Sequence, residues 1–300
     1  MGVKFLARFV LHADAPIYLS LVVNHDLFYC VCMQTWVKNY HMINFGSLLK
    51  ITSLLLIFLS FGSLHAGQTG PTPYPDPKND AAWPGKGPIR CFDWMTQNRK
   101  SFWPKREVDR GKIIFTGDSI IGGWKLDKDF PGKPIANRGI GGDVTRGLLF
   151  RFQEDILDLH PKAIVIEIGS NDLASDGPIE GVISNYNTLL DMAQKADPGT
   201  PIIIMAVTPR GIPTGPKAPS AGLATFLQKV NTRIPLLNKE LAKIPAARKN
   251  VVFVDAYTPL LLPNGAPDDS LYNADKVHPT DAGHSKLAAV VSKALAEVVR

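Results

Sequence analysis

Five short apolar runs, spaced by stretches of helical pattern, constrain this chain more than anything else in it. The runs are 112–116 (Lys-Ile-Ile-Phe-Thr), a weaker one at 134–137, 163–168 (Ala-Ile-Val-Ile-Glu-Ile), 201–207 (Pro-Ile-Ile-Ile-Met-Ala-Val) and 251–255 (Val-Val-Phe-Val-Asp). Continuous apolar runs of this length suit strands buried on both faces. Helical patterns fall near 143–158, 179–196 and 219–243, with a last one at 281–299. The alternation predicts an α/β fold: a five-stranded parallel sheet with helices on both faces, joined by right-handed crossovers. In such a sheet, ligands bind outside the carboxyl ends of the strands.

Four short blocks fall at those ends, in a fixed order. They are Gly-Asp-Ser-Ile at 117–120, Gly-Ile-Gly-Gly-Asp at 139–143, Gly-Ser-Asn-Asp at 169–172 and Asp-Lys-Val-His-Pro at 275–279. Ser119 follows the first strand, Gly142 the second, Asn171 the third, and Asp275 and His278 sit in the loop after the fifth. Unrelated polar residues would scatter over both edges of the sheet. Convergence on one edge marks a single site.

The residue types are those of a serine hydrolase. Ser119 is the candidate nucleophile. Alone it would read as an ordinary serine N-cap. His278 is the candidate base: Asp275, three residues earlier, can accept a hydrogen bond from one imidazole nitrogen and leave the other for Ser119. His284 is the alternative base, and His160 before Pro161 looks structural. Gly142 offers a backbone N–H and Asn171 a side-chain amide to an oxyanion, with the Ser119 N–H as a third donor. The bland readings of these two are a tight turn and an Asx-turn. Asp118, Asp143 and Asp172 read as turn-capping or supporting groups. The loop at 209–222 follows the fourth strand at the same edge and is expected to rim the pocket, with Arg210 as a substrate contact.

Several function classes drop out. A dinucleotide fingerprint fails because Val144 stands where a sixth-position glycine is needed, and a phosphate loop fails because Leu148 replaces its lysine. Position 121 is Ile, so the Gly-x-Ser-x-Gly elbow is absent. Cys30 and Cys32 are too isolated for a metal site, Cys91 cannot staple a fold alone, and no metal or cofactor is expected. The net charge of +6 is spread without a basic run, so no nucleic-acid partner is expected.

The N-terminal third reads differently. Residues 48–62 are strongly apolar, and 63–66 (Ser-Leu-His-Ala) place small residues where a signal peptidase cuts. The stretch is shorter than the roughly 20 residues of a spanning helix. A secretory signal at about 42–66 implies a secreted or periplasmic protein, and an uncleaved membrane anchor is the alternative. Met42 opens that signal directly, so 1–41 reads as an upstream extension with little packed structure. Residues 67–88, with six prolines, read as an extended linker. Phe92, Trp94, Phe102 and Trp103 mark an N-terminal arm lying on the domain, which is assigned to 89–300.

The four blocks resemble those of the SGNH hydrolases, also called GDSL esterases/lipases, over roughly 112–300. The stretch 137–146 is similar to the branch containing platelet-activating-factor acetylhydrolase subunits and bacterial carbohydrate esterases. The resemblance implies a flavodoxin-like three-layer α/β/α sandwich and no cofactor. It also implies Ser119 as nucleophile, His278 as base, Asp275 as its partner, and Gly142 and Asn171 as oxyanion residues. Ile120 and Ile121 depart from a common Leu and a frequent Thr, at positions without chemistry. The expected activity is hydrolysis of short acyl esters, small-molecule or polysaccharide, with carbohydrate O-acetyl esters favoured. A lysophospholipase or thioesterase, and a non-catalytic binding relic, are the alternatives.

Overall fold

The computed structural model describes residues 19–22, 28–31, 68–211 and 220–299. The chain divides into two compact units, Met1–Gln68 and Thr69–Arg300. Within the first, two short strands, Leu19–Val22 and Phe28–Val31, pair antiparallel, and the rest of 1–41 lies outside the described residues. The signal read at 42–66 lies outside the described residues. Among those described, no helix is long and apolar enough to cross a membrane.

The second unit is built on five strands: β1 (Ile113–Gly117), β2 (Ile135–Gly139), β3 (Ala163–Glu167), β4 (Ile202–Met205) and β5 (Val251–Val254). All neighbours are parallel, in the order β2-β1-β3-β4-β5. The helices that matter here are α1 (Asp93–Phe102), α2 (Ser119–Gly122), α3 (Thr145–Asp155), α4 (Ser170–Ala174), α5 (Ile179–Ala196), α6 (Ala221–Leu241) and α7 (Asp281–Val298). The sequence places both ends of each sheet strand to within two residues.

The central strands are mainly apolar because both of their faces are covered, whereas the edge strand β2 carries Asn137 and Arg138. Ile114, Ile164, Ile166, Ile202 and Ile204 point into one core, with Leu148 and Phe152 of α3, Leu189 of α5 and Ile234 of α6. The alternate residues Phe115, Val165, Ile203 and Met205 point into the other, with Ile121 and Trp124 beside α2 and Leu287 and Val291 of α7. Period-2 alternation thus sorts one continuous apolar run onto two faces. The three-layer sandwich follows.

The strand order reverses between β1 and β3, since β2 lies on the far side of β1. This is the switch point at which the crossovers leave a crevice. Gly117 closes it tightly: its φ is +150°, and a Cβ there would lie 1.8 Å from the Glu167 carbonyl oxygen. No other residue ends β1 against β3 in that conformation.

The proline-rich segment is not a free linker, because the compact unit begins at Thr69. It is extended from Pro71 to Asp76 and then turns repeatedly, through a hydrogen-bonded turn at 76–79, a 3-10 turn at Asp80–Ala82 and bends in which Gly85 and Gly87 take positive φ. Trp83 is nevertheless buried, stacked on Tyr74 and tilted against Phe150 of α3. Arg146 anchors the same stretch through the carbonyls of Trp83, Pro84 and Gly87 and the Asp80 carboxylate. Composition alone could not show that three aromatic rings and one buried guanidinium bind this segment to α3. Trp83→Ala should therefore lower stability by about 3 kcal/mol, read by urea denaturation. A free linker would leave it unchanged.

Candidate active site

Ser119 is the first residue of α2, directly after β1 and one N-cap residue, Asp118. The Asp118 carboxylate accepts a hydrogen bond from the Ile120 N–H at 2.9 Å and fixes the turn. The Ser119 Oγ lies 2.8 Å from His278 Nε2, and His278 Nδ1 lies 2.7 Å from an Asp275 carboxylate oxygen. One tautomer satisfies both contacts: Nδ1–H donates to Asp275, and Nε2 accepts from the Ser119 hydroxyl.

The geometry of the last loop is over-determined. The other Asp275 oxygen accepts from the backbone N–H groups of Val277 and His278, both at 2.9 Å. Lys276 turns through a left-handed φ of 61°. Its carbonyl accepts from the Gly211 N–H, and its ammonium pairs with Asp269. Burial works to raise the Asp275 pKa, but the hydrogen bonds from His278 and Val277 outweigh it and hold the carboxyl below its ordinary value. Asp275 therefore stays anionic opposite the imidazole.

Gly142 has φ +82°, which glycine adopts without strain, and a Cβ there would meet the side chains of Met95 and Phe92 of the arm at 3.4 and 3.7 Å. The Trp94 indole N–H donates to the Gly141 carbonyl at 2.8 Å. Arg90 donates to the Ser175 hydroxyl and reaches toward the Gly142 carbonyl. Asn171, in α4, donates to the Asp143 carbonyl at 3.0 Å and to Asp118 at 3.2 Å. Both of its amide protons are thus engaged, the Asp118 contact being the longer. Ser119 and His278, with Asn98, Gly122, Gly123, Gly139 and Gly141, line an open cleft of about 250 Å³.

Below the cleft lies a layer of buried charge. Arg151 of α3, with no exposed surface, pairs with Asp143 at 2.8 Å and donates to the carbonyls of Arg138 and Gly117. Asp172 accepts from the Thr145 N–H and hydroxyl, which caps α3. Burial raises its pKa to about 7, against those hydrogen bonds. Asp118 is raised to about 6, again chiefly by burial. Glu167 is fully buried, and burial with the neighbouring Asp118 charge holds it protonated well above the ordinary carboxylate range.

Two expectations need correction or closure. Arg210 is not a rim residue: it is buried, donates to the Ser170 hydroxyl at 2.9 Å, and its charge faces Asp118 and Glu167. A sheet edge carrying that many buried carboxyl groups needs an internal cation, and Arg210 supplies one. Of the proposed rim at 209–222, residues 212–219 lie outside the described residues. His284, the alternative base, is buried under α2, stacked on Trp124, with its Nε2–H donating to the Ile120 carbonyl. It does not face the cleft. His160 sits before β3, at the opposite edge of the sheet.

Sequence reasoning missed Arg151 and Glu167. Arg151 was hidden within an amphipathic helix pattern, where arginine is usually solvated. Glu167 left a signal: it is the single charged residue in an otherwise doubly buried strand. Among the described residues, no group of His, Cys, Asp and Glu side chains is arranged to hold a metal ion.

With this geometry in view, the chain can be compared with known proteins. Residues 115–286 match the model of the GDSL-like Lipase/Acylhydrolase family, a span that holds every residue of the proposed triad and oxyanion set. The human platelet-activating factor acetylhydrolase IB subunit alpha2 is 26% identical over 143 residues, which cover 46% of this chain and 61% of that protein. The chain thus spans about three-fifths of the length of the curated relatives it matches. A solved structure described as a platelet activating factor from Streptococcus pneumonia shares the fold, with 24% identity and TM-score 0.56 over 68% of this chain and 95% of that one. The lipase/acylhydrolase from Enterococcus faecalis does so at 21% identity and TM-score 0.50, over 63% and 97%.

One pH dependence follows from the buried carboxyls. Unfolded, Asp172 ionises near ~4; folded, it holds its proton to about 7. Between those values the folded state binds more protons, so stability falls as pH rises from about 4 to 7. Asp172→Asn should remove about 3 kcal/mol of that fall, measured by urea denaturation across this pH range. The wild type should keep the steeper slope.

Proposed function

The chain belongs to the GDSL-like lipase/acylhydrolase family, and on that premise we propose that it is a serine ester hydrolase acting on short acyl esters. The observation that carries this reading is the continuous hydrogen-bonded line from Asp275 through His278 to Ser119, opening on a cleft. A non-catalytic relic has no physical reason to keep that line aligned.

In the proposed reaction the Ser119 Oγ attacks the ester carbonyl carbon as its proton passes to His278 Nε2. The imidazolium is stabilised by Asp275, and its proton goes to the leaving alcohol as the C–O bond breaks. Water then attacks the acyl-enzyme, giving up its proton to His278. That proton returns to Ser119 Oγ as the carboxylic acid leaves. The developing oxyanion is met by the N–H groups of Ser119 and Gly142 and by the Asn171 amide. For Asn171 this means exchanging the longer contact, to Asp118, for one to the substrate.

A short acyl group is supported by two points. Among the described residues, the side chains lining the cleft are those of Asn98, Ser119 and His278 beside four glycines, and none of them is a large apolar group. The human relative is named an acetylhydrolase. Carbohydrate O-acetyl esters are the favoured substrates, since an open cleft accepts a bulky alcohol. Export through the segment near 42–66 belongs to the same reading and rests on the sequence alone. A mature N-terminus close to residue 67 is its signature.

Ser119→Ala should reduce p-nitrophenyl acetate turnover by at least about a thousandfold. Asn171→Ala should lower kcat about 10²–10³-fold with little change in KM. Undiminished turnover by the Ser119 variant would end the proposal.

A further inference from the structure

The N-terminal arm lies outside the family match, yet it reaches the cleft. Phe92 and Trp94 stack with ring centroids 4.3 Å apart and planes 14° from parallel. They remain 40% and 52% exposed, whereas Met95 beside them is fully buried. Aromatic side chains gain most by burial, so two large rings left open side by side are an unusual expenditure of apolar surface. The pair is also held in place. The Phe92 ring lies on the side of Gly142 that a Cβ would occupy, 3.7 Å from that position, and the Trp94 N–H is tied to the Gly141 carbonyl. One turn further along α1, Asn98 lines the cleft beside Ser119 and His278. Its amide donates to the Trp94 carbonyl, which links the cleft wall to the stack.

The chemistry of the neighbourhood selects a ligand. A fatty chain needs a continuous apolar groove, and the cleft lining is glycine, Asn98, Ser119 and His278. A sugar ring needs the opposite combination: a flat aromatic face for its axial C–H groups and polar partners for its hydroxyls. We infer that Phe92 and Trp94 form a subsite that stacks a pyranose ring of the alcohol part of the substrate, with its ester group over Ser119. This rests on the ester-hydrolase reading above and assigns its specificity to the arm. The stack is preorganised, since its rings are fixed before any ligand arrives, so little side-chain freedom is lost on binding.

The test uses the full chain with Trp94→Ala and Trp94→Phe, assayed on p-nitrophenyl acetate and on O-acetylated xylo-, gluco- and manno-oligosaccharides. The wild type should hydrolyse at least one acetylated oligosaccharide. Trp94→Ala should lower the ratio of kcat/KM on that sugar ester to kcat/KM on p-nitrophenyl acetate at least tenfold, mainly through KM. Trp94→Phe loses the indole contact to Gly141 but keeps an aromatic face, and should recover most of the ratio. Equal losses on both substrates would show that Trp94 only props the Gly141 loop, and would overturn the inference. So would a wild type that turns over p-nitrophenyl acetate but no acetylated sugar. If neither ester is hydrolysed, the enzyme reading itself fails. The subsite is then decided by calorimetric titration with the deacetylated oligosaccharides, where binding lost in Trp94→Ala supports it and no binding by the wild type overturns it.

Discussion

The working edge of this protein depends on the buried guanidinium of Arg151. The Arg151 guanidinium reaches from α3 to the Gly117 carbonyl at the end of β1, the Arg138 carbonyl in β2 and the Asp143 carboxylate in the glycine loop. Those three points carry the candidate nucleophile, the strand beside it and the Gly142 N–H. Removing one partner of such a buried pair typically costs about 3–5 kcal/mol, because the other charge is left uncompensated. The geometric consequence weighs more than the energy. The donors and the hydroxyl must converge on one ester oxygen and one carbonyl carbon, and a shift of an ångström would separate them.

Around that cation the edge is crowded with carboxyl groups. Asp118, Asp143, Glu167 and Asp172 are all buried; Arg151 pairs with Asp143, Arg210 faces Asp118 and Glu167, and the half-buried Arg90 faces Asp118 and Asp172. Asp118 and Asp172 each cap a helix start, and Asp143 binds the amide of the residue after it. Their hydrogen bonds stiffen the loops, at a desolvation cost that burial imposes on every charged carboxylate. The site is rigid because it is built on this layer. The arm adds a second support from outside, where Phe92, Trp94 and Arg90 meet the same glycine loop from the solvent side.

Much of this was legible in the chain. The apolar runs announced strands buried on both faces, and four polar blocks at their carboxyl ends announced a shared edge. Asp275 and His278 could be paired because a turn of three residues brings them together without help from the fold. Arg210 could not be placed in this way. In sequence it opens a proline- and glycine-rich loop and looks solvated, but the buried carboxyls of β3 and the α2 turn draw it inward. The proline-rich segment misled similarly. Its composition predicts an extended linker and says nothing of its turns or of the Tyr74–Trp83–Phe150 contacts that bind it to the domain.

Local chemistry therefore determined the fold class, the strands, the edge that carries the site, and Ser119 and the Asp275–His278 pair as candidates. These depend on side-chain type and on short spacings, which the sequence states outright. The tertiary structure decided which histidine faces the serine, where each guanidinium lies, and that two aromatic rings of the arm stand open beside the cleft. Those outcomes depend on contacts between residues tens of positions apart. Their sign is set by what else is buried nearby, which no local pattern contains.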